Sequence, residues 1–316
     1  MPNRSISELR LLTKVSSMYY DDGLKQEEIV DRLHLSKSKV SRLLQRARDE
    51  GIVKTYVISP PGIFSEIESR LESKYRINEV IITDVREPNR SDVLSRDLGI
   101  AAAGYFSRVI EENDVVGIAW GYTINGMVGA LEPRSYPNVK IVQLTGGIGK
   151  PESENYATEL CHKMARTLSC KLALLPAPGV VKDRQMREVF MADNQIQQVF
   201  NLFSKISLAF VGIGSPDSHT FLSRDVSIFT QSDLEKLISG GAVGDVALRF
   251  FNKEGQFLET GLDEQIIGIG LEILRAIPRL VGVAGGQNKV DAIRGALLSG
   301  ILDVLITDRN TAESLV

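Results

Sequence analysis

The chain has 316 residues and a net charge of −3 at pH 7, and 43% of its residues are hydrophobic. This length predicts two domains, one small and one large, and no apolar run approaches the roughly 20 residues of a membrane span. The polar stretch Met1–Arg10 is not expected to be a signal peptide. Two cysteines, Cys161 and Cys170, and three scattered histidines argue against a disulfide framework or a metal site and favour a cytoplasmic protein. We expect neither metal nor cofactor.

The first predicted element is a helix over residues 7–20 that presents one apolar face. The side chains of that face are Leu9, Leu12, Val15 and Tyr19. The adjacent pair Tyr19 and Tyr20 fits core packing, phosphate contact, or one of each, and the sequence leaves these alternatives open.

Residues 25–57 show a helix, a tight turn, a second helix and a short strand starting at Ile52 and running to Ile58, the pattern of a helix-turn-helix unit. Ser36 is a suitable N-cap for the second helix because its hydroxyl can accept a first-turn N–H. The helical period predicts one buried stripe: Val40, Leu43, Leu44 and Ala47. The opposite face then carries Ser38, Arg42, Gln45 and Asp49.

That outer face has the side chains that read base edges in the major groove of duplex DNA. Between Lys25 and Lys54 there are eight Lys or Arg residues and five Asp or Glu residues, so positive charge gathers in a chain that is acidic overall. An amphipathic surface helix is the alternative, but the paired helix and tight turn favour DNA. We expect operator contacts from Gln26, Ser36, Lys37, Ser38, Lys39, Ser41, Arg42 and Arg46, with Gln26 and Arg46 on phosphates.

Two residues depart from an ideal unit. His34 stands in the turn where glycine often supplies a positive φ, and histidine tolerates that region better than most residues. Lys25 stands where a capping Ser or Thr would be expected. We expect both departures to affect local DNA contacts and stability without removing the motif.

Residues 59–62, Ser-Pro-Pro-Gly, are the best linker candidate, which places a DNA-binding domain at 1–58 and a ligand-binding domain at 59–316. The next helix carries apolar residues at every fourth position: Ile63, Ile67, Leu71 and Tyr75. It fits packing on its own domain or on a second subunit. We favour the second subunit, because paired helix-turn-helix units gain affinity.

From Glu79 onward, short apolar strands alternate with helical patterns, which predicts a doubly wound α/β domain with a mostly parallel sheet. The predicted strands are 80–83, 115–119, 140–144, 171–175, 208–211, 280–283 and 304–306. Small residues follow five of these strands. Tight turns need glycine anyway, but glycines at several strand ends also let backbone N–H groups approach an anion, so we expect a phosphorylated ligand there.

Two charged residues complete the predicted ligand site. Lys289 follows the Gly285-Gly286 pair and lies in the first turn of a helix, where a bound phosphate offsets its unfavourable interaction with the helix dipole. Asp245 is the best acidic candidate for a sugar hydroxyl. The alternatives are a solvated surface lysine and a capping or turn-forming aspartate.

Taken together and in order, these motifs resemble the SorC/DeoR family of bacterial sugar-responsive transcription regulators over nearly the whole chain. The motifs are residues 26–29 and 40–44, Gly121-Tyr122-Thr123, Thr145-Gly146-Gly147, 211–214, Gly244-Asp245, 285–289 and Thr307-Asp308. The resemblance implies an effector domain related in fold to sugar-phosphate isomerases and CoA transferases. It also implies a homo-oligomer, usually a tetramer, that binds a phosphorylated sugar.

The main hypothesis is therefore a repressor or activator of a carbohydrate or polyol operon, controlled by a phosphorylated sugar and not an enzyme. The expected effector-binding residues are Gly121, Thr123, Thr145, Gly146, Gly147, Asp245, Gly286 and Lys289. The alternative is a sugar-phosphate isomerase or transferase with an accessory DNA-binding domain, for which Asp245, Asp263 or Glu264 would be the general base. No nucleophile with an adjacent base supports that alternative.

Overall fold

The computed structural model describes residues 6–54, 60, 62–147, 157–216 and 231–316. The chain divides into two compact units, Met1–Pro60 and Pro61–Val316. The predicted domain boundary, between residues 58 and 59, falls within residues 55–59, which lie outside the described residues. Most of the predicted strand 52–58 also lies there. Within the described part, no helix is long and apolar enough to cross a bilayer.

The described part of the first unit contains three helices packed around one small core. They are α1 (Ile6–Tyr20), α2 (Gln26–Leu33) and α3 (Lys37–Asp49). The predicted stripe of α3 is buried, and it packs against Leu12 and Val15 of α1 and Ile29 of α2. Leu9 and Tyr19, predicted for the same face of α1, are instead more than a third exposed.

Local capping shapes the helix-turn-helix as the sequence predicts. Ser36 accepts the Lys39 N–H at 3.3 Å, and His34 adopts the left-handed conformation with φ 52°. At Lys25, where the sequence lacks a capping Ser or Thr, the Glu28 side chain forms the cap instead: its carboxylate accepts the Lys25 N–H at 2.7 Å. The predicted strand start at Ile52 is wrong: Gly51 turns left-handed and the Val53 N–H donates back to the Ala47 carbonyl, which ends α3.

The second unit is built on a seven-stranded sheet whose strands are all parallel. Its strands are β1 (Glu79–Thr83), β2 (Val115–Ile118), β3 (Lys140–Gln143), β4 (Lys171–Ala173), β5 (Leu208–Gly212), β8 (Leu280–Val283) and β9 (Val304–Asp308). The predicted strands therefore all enter one sheet. Its spatial order is β1-β9-β8-β5-β2-β3-β4.

Helices cover both faces of this sheet. The described helices are α4 (Ser65–Tyr75), α5 (Ser91–Val109), α6 (Tyr122–Ala130), α7 (Ala157–Thr167), α8 (Arg184–Met191), α9 (Asn194–Phe203), α10 (Gln231–Ser239), α11 (Leu271–Arg275), α12 (Val290–Leu298) and α13 (Arg309–Leu315). Alternate residues of one strand enter different cores: Ala209 lies in the core with α4 and α12, and Phe210 in the core with α5 and α6. This two-sided burial explains why the strands are apolar throughout.

A short antiparallel hairpin, β6 (Gly244–Val246) and β7 (Arg249–Phe251), lies outside the main sheet and was not predicted. Its two-residue turn consists of Ala247 and Leu248, with φ values of 50° and 64°. Such turns normally contain glycine or asparagine, because other residues cost about 1–2 kcal/mol each in this conformation.

Helix α4 packs on its own unit. Leu71 is fully buried in the core, with Ile67 and Tyr75 against it, whereas Ile63 is 53% exposed. The Glu68 and Glu72 carboxylates accept the Ile82 and Val80 N–H groups, each at 3.0 Å. These N–H groups belong to β1, an edge strand, so the two carboxylates of α4 supply acceptors for N–H groups at that edge. Our preference for packing on a second subunit is therefore wrong for most of the apolar face.

Candidate functional site

The candidate ligand pocket has a volume of about 230 Å³ and lies where three neighbouring strands end. Residues 119–123 follow β2, Gly212 ends β5 and 213–214 follow it, and Gly285 follows β8. After β2, the next strands β3 and β4 are added on one side of it, and β5 is then added on its other side, so the strand order reverses at β2. In open parallel sheets, ligands bind at this reversal of strand order.

Helix N-termini face the same pocket. Ser91 and Ser95 of α5, Tyr122 of α6 and Lys289 before α12 all line it. A Cβ on Gly99 of α5 would collide with the backbone of α6, so this glycine lets the two helices approach closely. The first N–H groups of a helix lack intrahelical partners and carry partial positive charge. The pocket is therefore suited to an anionic ligand.

Lys289 is half-buried at the pocket wall, and it is not the solvated surface lysine of the alternative. Its Nζ donates to the Ile213 carbonyl at 2.9 Å, which holds the ammonium group beside the end of β5. Burial lowers the pKa of Lys289, and the nearby Asp245 carboxylate partly offsets this effect. A phosphoryl group in the pocket would supply the negative charge that favours the ammonium form.

Asp245 is 5% exposed and is held in the pocket wall by backbone pairing. Its backbone exchanges hydrogen bonds with Gly214 at 2.9 and 3.2 Å, and its Oδ2 accepts the Leu248 N–H at 3.0 Å. Its carboxylate occupies the space that a side chain at position 214 would need, so glycine is required there. Burial raises the pKa of Asp245 to about 6, although the Leu248 N–H and the Lys289 charge act in the opposite direction.

The raised pKa gives a pH dependence that can be tested. Because Asp245 binds its proton more tightly in the folded state than at the ordinary value of 3.8, its contribution to folding falls as the pH rises from 5 to 7. We expect the free energy of unfolding to drop by about 1 kcal/mol over that range through this group. Asp245→Asn keeps the acceptor for Leu248 and should lack this component.

Urea unfolding at several pH values, followed by Trp120 fluorescence, measures the difference between the wild-type protein and Asp245→Asn. Groups that titrate in both proteins cancel in this difference. Parallel pH profiles for the two proteins would contradict a proton uptake by Asp245 in this range.

Four of the predicted effector residues line the pocket and four do not. The lining residues are Gly121, Thr123, Asp245 and Lys289. Thr145, Gly146 and Gly147 instead follow β3 and pair with loops at Gly268, Ile267 and Ala177–Pro178. Gly286 directs its N–H away from the pocket to Asp308 and Thr311. Ligand contact by these last four residues stays a prediction, and their described contacts are structural.

Several lining residues were not singled out from the sequence. Trp120, the only tryptophan of the chain, is 8% exposed at the pocket wall. Ser91 and Ser95 come from a helix that follows β1, at the far edge of the sheet. Asn288, next to Lys289 in the sequence, also lines the pocket. Among these residues, only Asn288 had a local signal in the sequence for a place in the ligand site, namely its polar amide beside that lysine.

The candidate DNA-binding surface is the outer face of α3. Ser38, Arg42, Gln45 and Asp49 are exposed opposite the buried stripe, as the helical period predicts, and Ser41 is exposed on the flank of that face. Arg42 Nε donates to the Ser38 carbonyl at 3.3 Å, which places the guanidinium over the first turn. The first two turns therefore present hydroxyl and guanidinium groups suited to base edges and phosphates.

The remaining predicted DNA contacts differ in how they are held. Lys37 pairs with Glu27 at 2.9 Å, but both side chains are exposed, so the pair holds Lys37 only weakly. Arg46 is tied to Glu8 at 2.8 Å and to Glu50 at 3.3 Å, and it clamps α1 to α3. Gln26 begins α2 and is half-buried, while Ser36 and Lys39 are exposed.

A three-helix unit with a helix-turn-helix, followed by a parallel α/β unit with a strand-end pocket, is the architecture of a ligand-responsive transcription regulator. Residues 60–316 match the Sugar-bind family, a sugar-binding domain, and residues 17–58 match a domain of unknown function, DUF7343. The chain belongs to the SorC/DeoR family of sugar-binding transcriptional regulators.

Relatives and solved structures agree with this membership over almost the entire chain. The deoxyribonucleoside regulator of Bacillus subtilis is 29% identical, covering 97% of both chains. The erythritol catabolism regulatory protein EryD of Brucella abortus is 31% identical, covering 97% of this chain and 96% of that one. The full-length sorbitol operon regulator SorC of Klebsiella pneumoniae superposes with a TM-score of 0.75 at 26% identity, covering 98% of this chain and 99% of that chain.

Proposed function

We propose that this regulator controls a carbohydrate or polyol catabolic operon and that a phosphorylated sugar in the strand-end pocket changes its affinity for operator DNA. The observation that carries the proposal is the pocket itself, where Lys289 and Asp245 converge with three helix N-termini at the reversal of strand order. Relatives are named as a deoxyribonucleoside regulator, a sorbitol operon regulator and an erythritol catabolism regulatory protein, which supports a small polyhydroxylated ligand.

The ligand chemistry follows from the wall of the pocket. Lys289 and the helix N-termini favour the phosphoryl group, while Asp245 is placed to bind a hydroxyl. The volume of about 230 Å³ is below the roughly 300–1,000 Å³ typical of drug-sized ligands, so the proposed ligand is a short sugar or polyol phosphate.

A thermal-shift screen tests this ligand class. Deoxyribose 5-phosphate, sorbitol 6-phosphate and erythritol 4-phosphate are compared with their unphosphorylated forms, and Trp120 fluorescence reports occupancy of the pocket. A ligand present at 100 times its Kd stabilises the folded state by about 2.7 kcal/mol. Stabilisation by free sugars alone, with no gain from phosphorylation, would contradict the phosphoryl-binding role.

Control of DNA affinity requires that the ligand bind two states of the protein differently. We propose a homo-oligomer, a dimer or a tetramer, in which the ligand changes the arrangement of subunits and so the spacing of the two reading helices. Sedimentation with and without the ligand and operator measures the subunit number. A monomer in all four conditions would contradict this part of the proposal. We also propose that the protein resides in the cytoplasm.

Arg42 is the residue from which we expect base reading. Arg42→Ala should weaken operator binding by about 1–3 kcal/mol and relax the preference at one base position. The measurement is affinity for a selected operator and for its single-base variants, with the operator chosen from a random-sequence duplex library. An equal loss on every sequence would identify Arg42 as a phosphate contact only.

Lys39→Ala is the matched comparison because Lys39 is exposed on the flank of the same helix turn. It should weaken binding similarly on all sequences and reduce the salt dependence of log K by about 0.9. Affinity that does not change with salt would exclude the electrostatic part of this interface.

The relatives are transcriptional regulators rather than enzymes, which supports the regulator over the isomerase or transferase alternative. The general bases of that alternative also lie in different settings. Asp245 lines the pocket, whereas Asp263 is paired with Arg249 and Glu264 with Arg184. Two carboxylates are therefore not brought together at the pocket by these residues.

A further inference from the structure

The loop on one side of the pocket is tied to α13 by a buried hydrogen-bond network. Gly285 and Lys289 line the pocket, and Gly286 between them has a φ of 102°. The Gly286 N–H donates to Asp308 Oδ2 and to Thr311 Oγ1, both at 2.8 Å. A displacement of this loop therefore acts first on Asp308 and Thr311.

Asp308 and Thr311 form the N-terminal cap of α13. The Thr311 N–H donates to Asp308 Oδ1 at 3.0 Å, and its hydroxyl donates to Asp308 Oδ2 at 2.6 Å. Asp308 is 1% exposed and Thr311 is fully buried. A buried carboxylate that loses one of its donors is strongly disfavoured, so the cap and the Gly286 N–H should move together.

A second connection reaches the other end of α13. The Gln287 side chain and the Ser314 hydroxyl are within 3.2 Å, and Arg294 Nη2 donates to the Ser314 carbonyl at 2.9 Å. The pocket loop and α12 thus hold α13 near both of its ends.

Helix α13 is in turn bound to α4 near both of its ends. Lys74 Nζ donates to the carbonyls of Leu315 at 2.9 Å and Val316 at 2.8 Å, and the Tyr75 hydroxyl donates to Leu315 at 2.9 Å. At the other end, the Arg309 guanidinium lies 5.4 Å from the centre of the Phe64 ring. Helix α4 is the first helix after the boundary between the two compact units.

We propose that α13 transmits occupancy of the pocket to α4, with Lys74 and Tyr75 as the positioning residues that complete the connection. The proposal rests on the proposed function, since it requires a ligand in this pocket to change DNA affinity. A phosphoryl group that attracts Lys289 and the 285–289 backbone shifts the Gly286 N–H, the α13 cap, and then the carbonyls bound by Lys74 and Tyr75. The connection is contiguous and buried at its centre, and hydrogen-bond networks of this kind can carry energetic coupling between two sites.

The test separates ligand binding, DNA binding and the coupling between them. The variant is Lys74→Met with Tyr75→Phe, which roughly keeps side-chain length and removes the three hydrogen bonds to Leu315 and Val316 at the end of α13. Lys253→Met is the matched control, since Lys253 is exposed and pairs only loosely, at 3.9 Å, with its neighbour Glu254. Tyr75→Phe alone serves as the milder variant if the double variant fails to fold.

The probes are the three sugar phosphates named above, followed by Trp120 fluorescence, and an operator fragment selected by the wild-type protein. Coupling between two sites typically amounts to about 5–150-fold in affinity. We expect the double variant to bind each probe with an affinity within about threefold of wild type. Its coupling, the factor by which a bound probe changes DNA affinity, should fall below about twofold. Tyr75→Phe alone should keep an intermediate coupling, and Lys253→Met the full coupling.

Each failure has a separate meaning. If no sugar phosphate changes DNA affinity in the wild-type protein, the proposed function fails. Unchanged coupling in a folded double variant that binds both partners overturns the α13 connection.

Hydrogen exchange supplies a readout that needs neither ligand nor DNA. Loss of the Lys74 and Tyr75 hydrogen bonds should raise amide exchange in residues 309–315 and in the pocket loop 285–289. Thr311→Val, at the opposite end of the connection, should raise exchange in residues 65–75. Exchange changes confined to the mutated helix in both cases would overturn the proposal.

Discussion

Lys289→Met should abolish most of the preference for phosphorylated ligands. The variant retains an apolar stem of similar length and removes the ammonium group that we place on the phosphoryl oxygens. A hydrogen bond to a charged group contributes about 1.5–3 kcal/mol, so the affinity for a sugar phosphate should fall by roughly 10- to 150-fold. The ratio between phosphorylated and free sugar, measured by Trp120 fluorescence, should approach one.

The unliganded variant should lose no more than about 1 kcal/mol of stability, the net contribution of the hydrogen bond from Lys289 to the Ile213 carbonyl. Burial lowers the pKa of Lys289, so in the unliganded protein burying the ammonium costs more than its interaction with Asp245 returns. Lys253→Met is the control for removing one lysine of this chain. A Lys289→Met protein that keeps the full preference for phosphorylated ligands would show that helix N-termini alone bind the phosphoryl group.

The largest expected effect on stability is at Arg249, in the hairpin that borders the pocket. Its Nε and Nη2 donate to the Ile269 carbonyl at 3.1 and 2.9 Å, and its Nη1 pairs with Asp263 at 2.7 Å. The Arg249 side chain is 10% exposed, whereas that of Asp263 is 40% exposed. Arg249→Met should lower the free energy of unfolding by about 2–4 kcal/mol, because it leaves the carbonyl and the carboxylate without this donor.

Urea unfolding followed by Trp120 fluorescence measures this loss in the unit that contains the tryptophan. Asp263→Asn is the matched variant, since it removes the charge of the pair but leaves both bonds to Ile269, and should cost less. Equal losses for the two variants would show that the ion pair, rather than the buried carbonyl, accounts for the role of Arg249. The strained Ala247–Leu248 turn precedes Arg249, so the variant should also weaken sugar-phosphate binding.

The α3 helix and the strands were predictable because their signals are local. The stripe from Val40 to Ala47 depends on spacing within one helix, and Ser36 caps a helix that begins at the next residue. Each sheet strand is an apolar run, since both of its faces are covered. The error at Ile52 has a local cause as well, because Gly51 turns the chain back onto α3.

The hairpin at Asp245 was missed because its turn lacks the residues by which such turns are recognised. Ala247 and Leu248 hold left-handed conformations, and the bond from the Leu248 N–H to Asp245 and the burial of Leu248 stabilise them. The residues that pack around Leu248 include Trp120 and Leu160, which are distant from it in the sequence.

By itself, the sequence determined the two-unit organisation, helix α3 with its buried stripe, the parallel strands and half of the predicted pocket residues, because periodicity, capping and glycine turns act over a few neighbouring residues. Only the tertiary structure decided which strand ends share a pocket. The order β8-β5-β2 excludes Thr145–Gly147 from its lining, and the contact between Gly99 and α6 brings Ser91 to it. Strand order and helix contact arise from packing between segments that are not neighbours in the sequence, which no local pattern encodes.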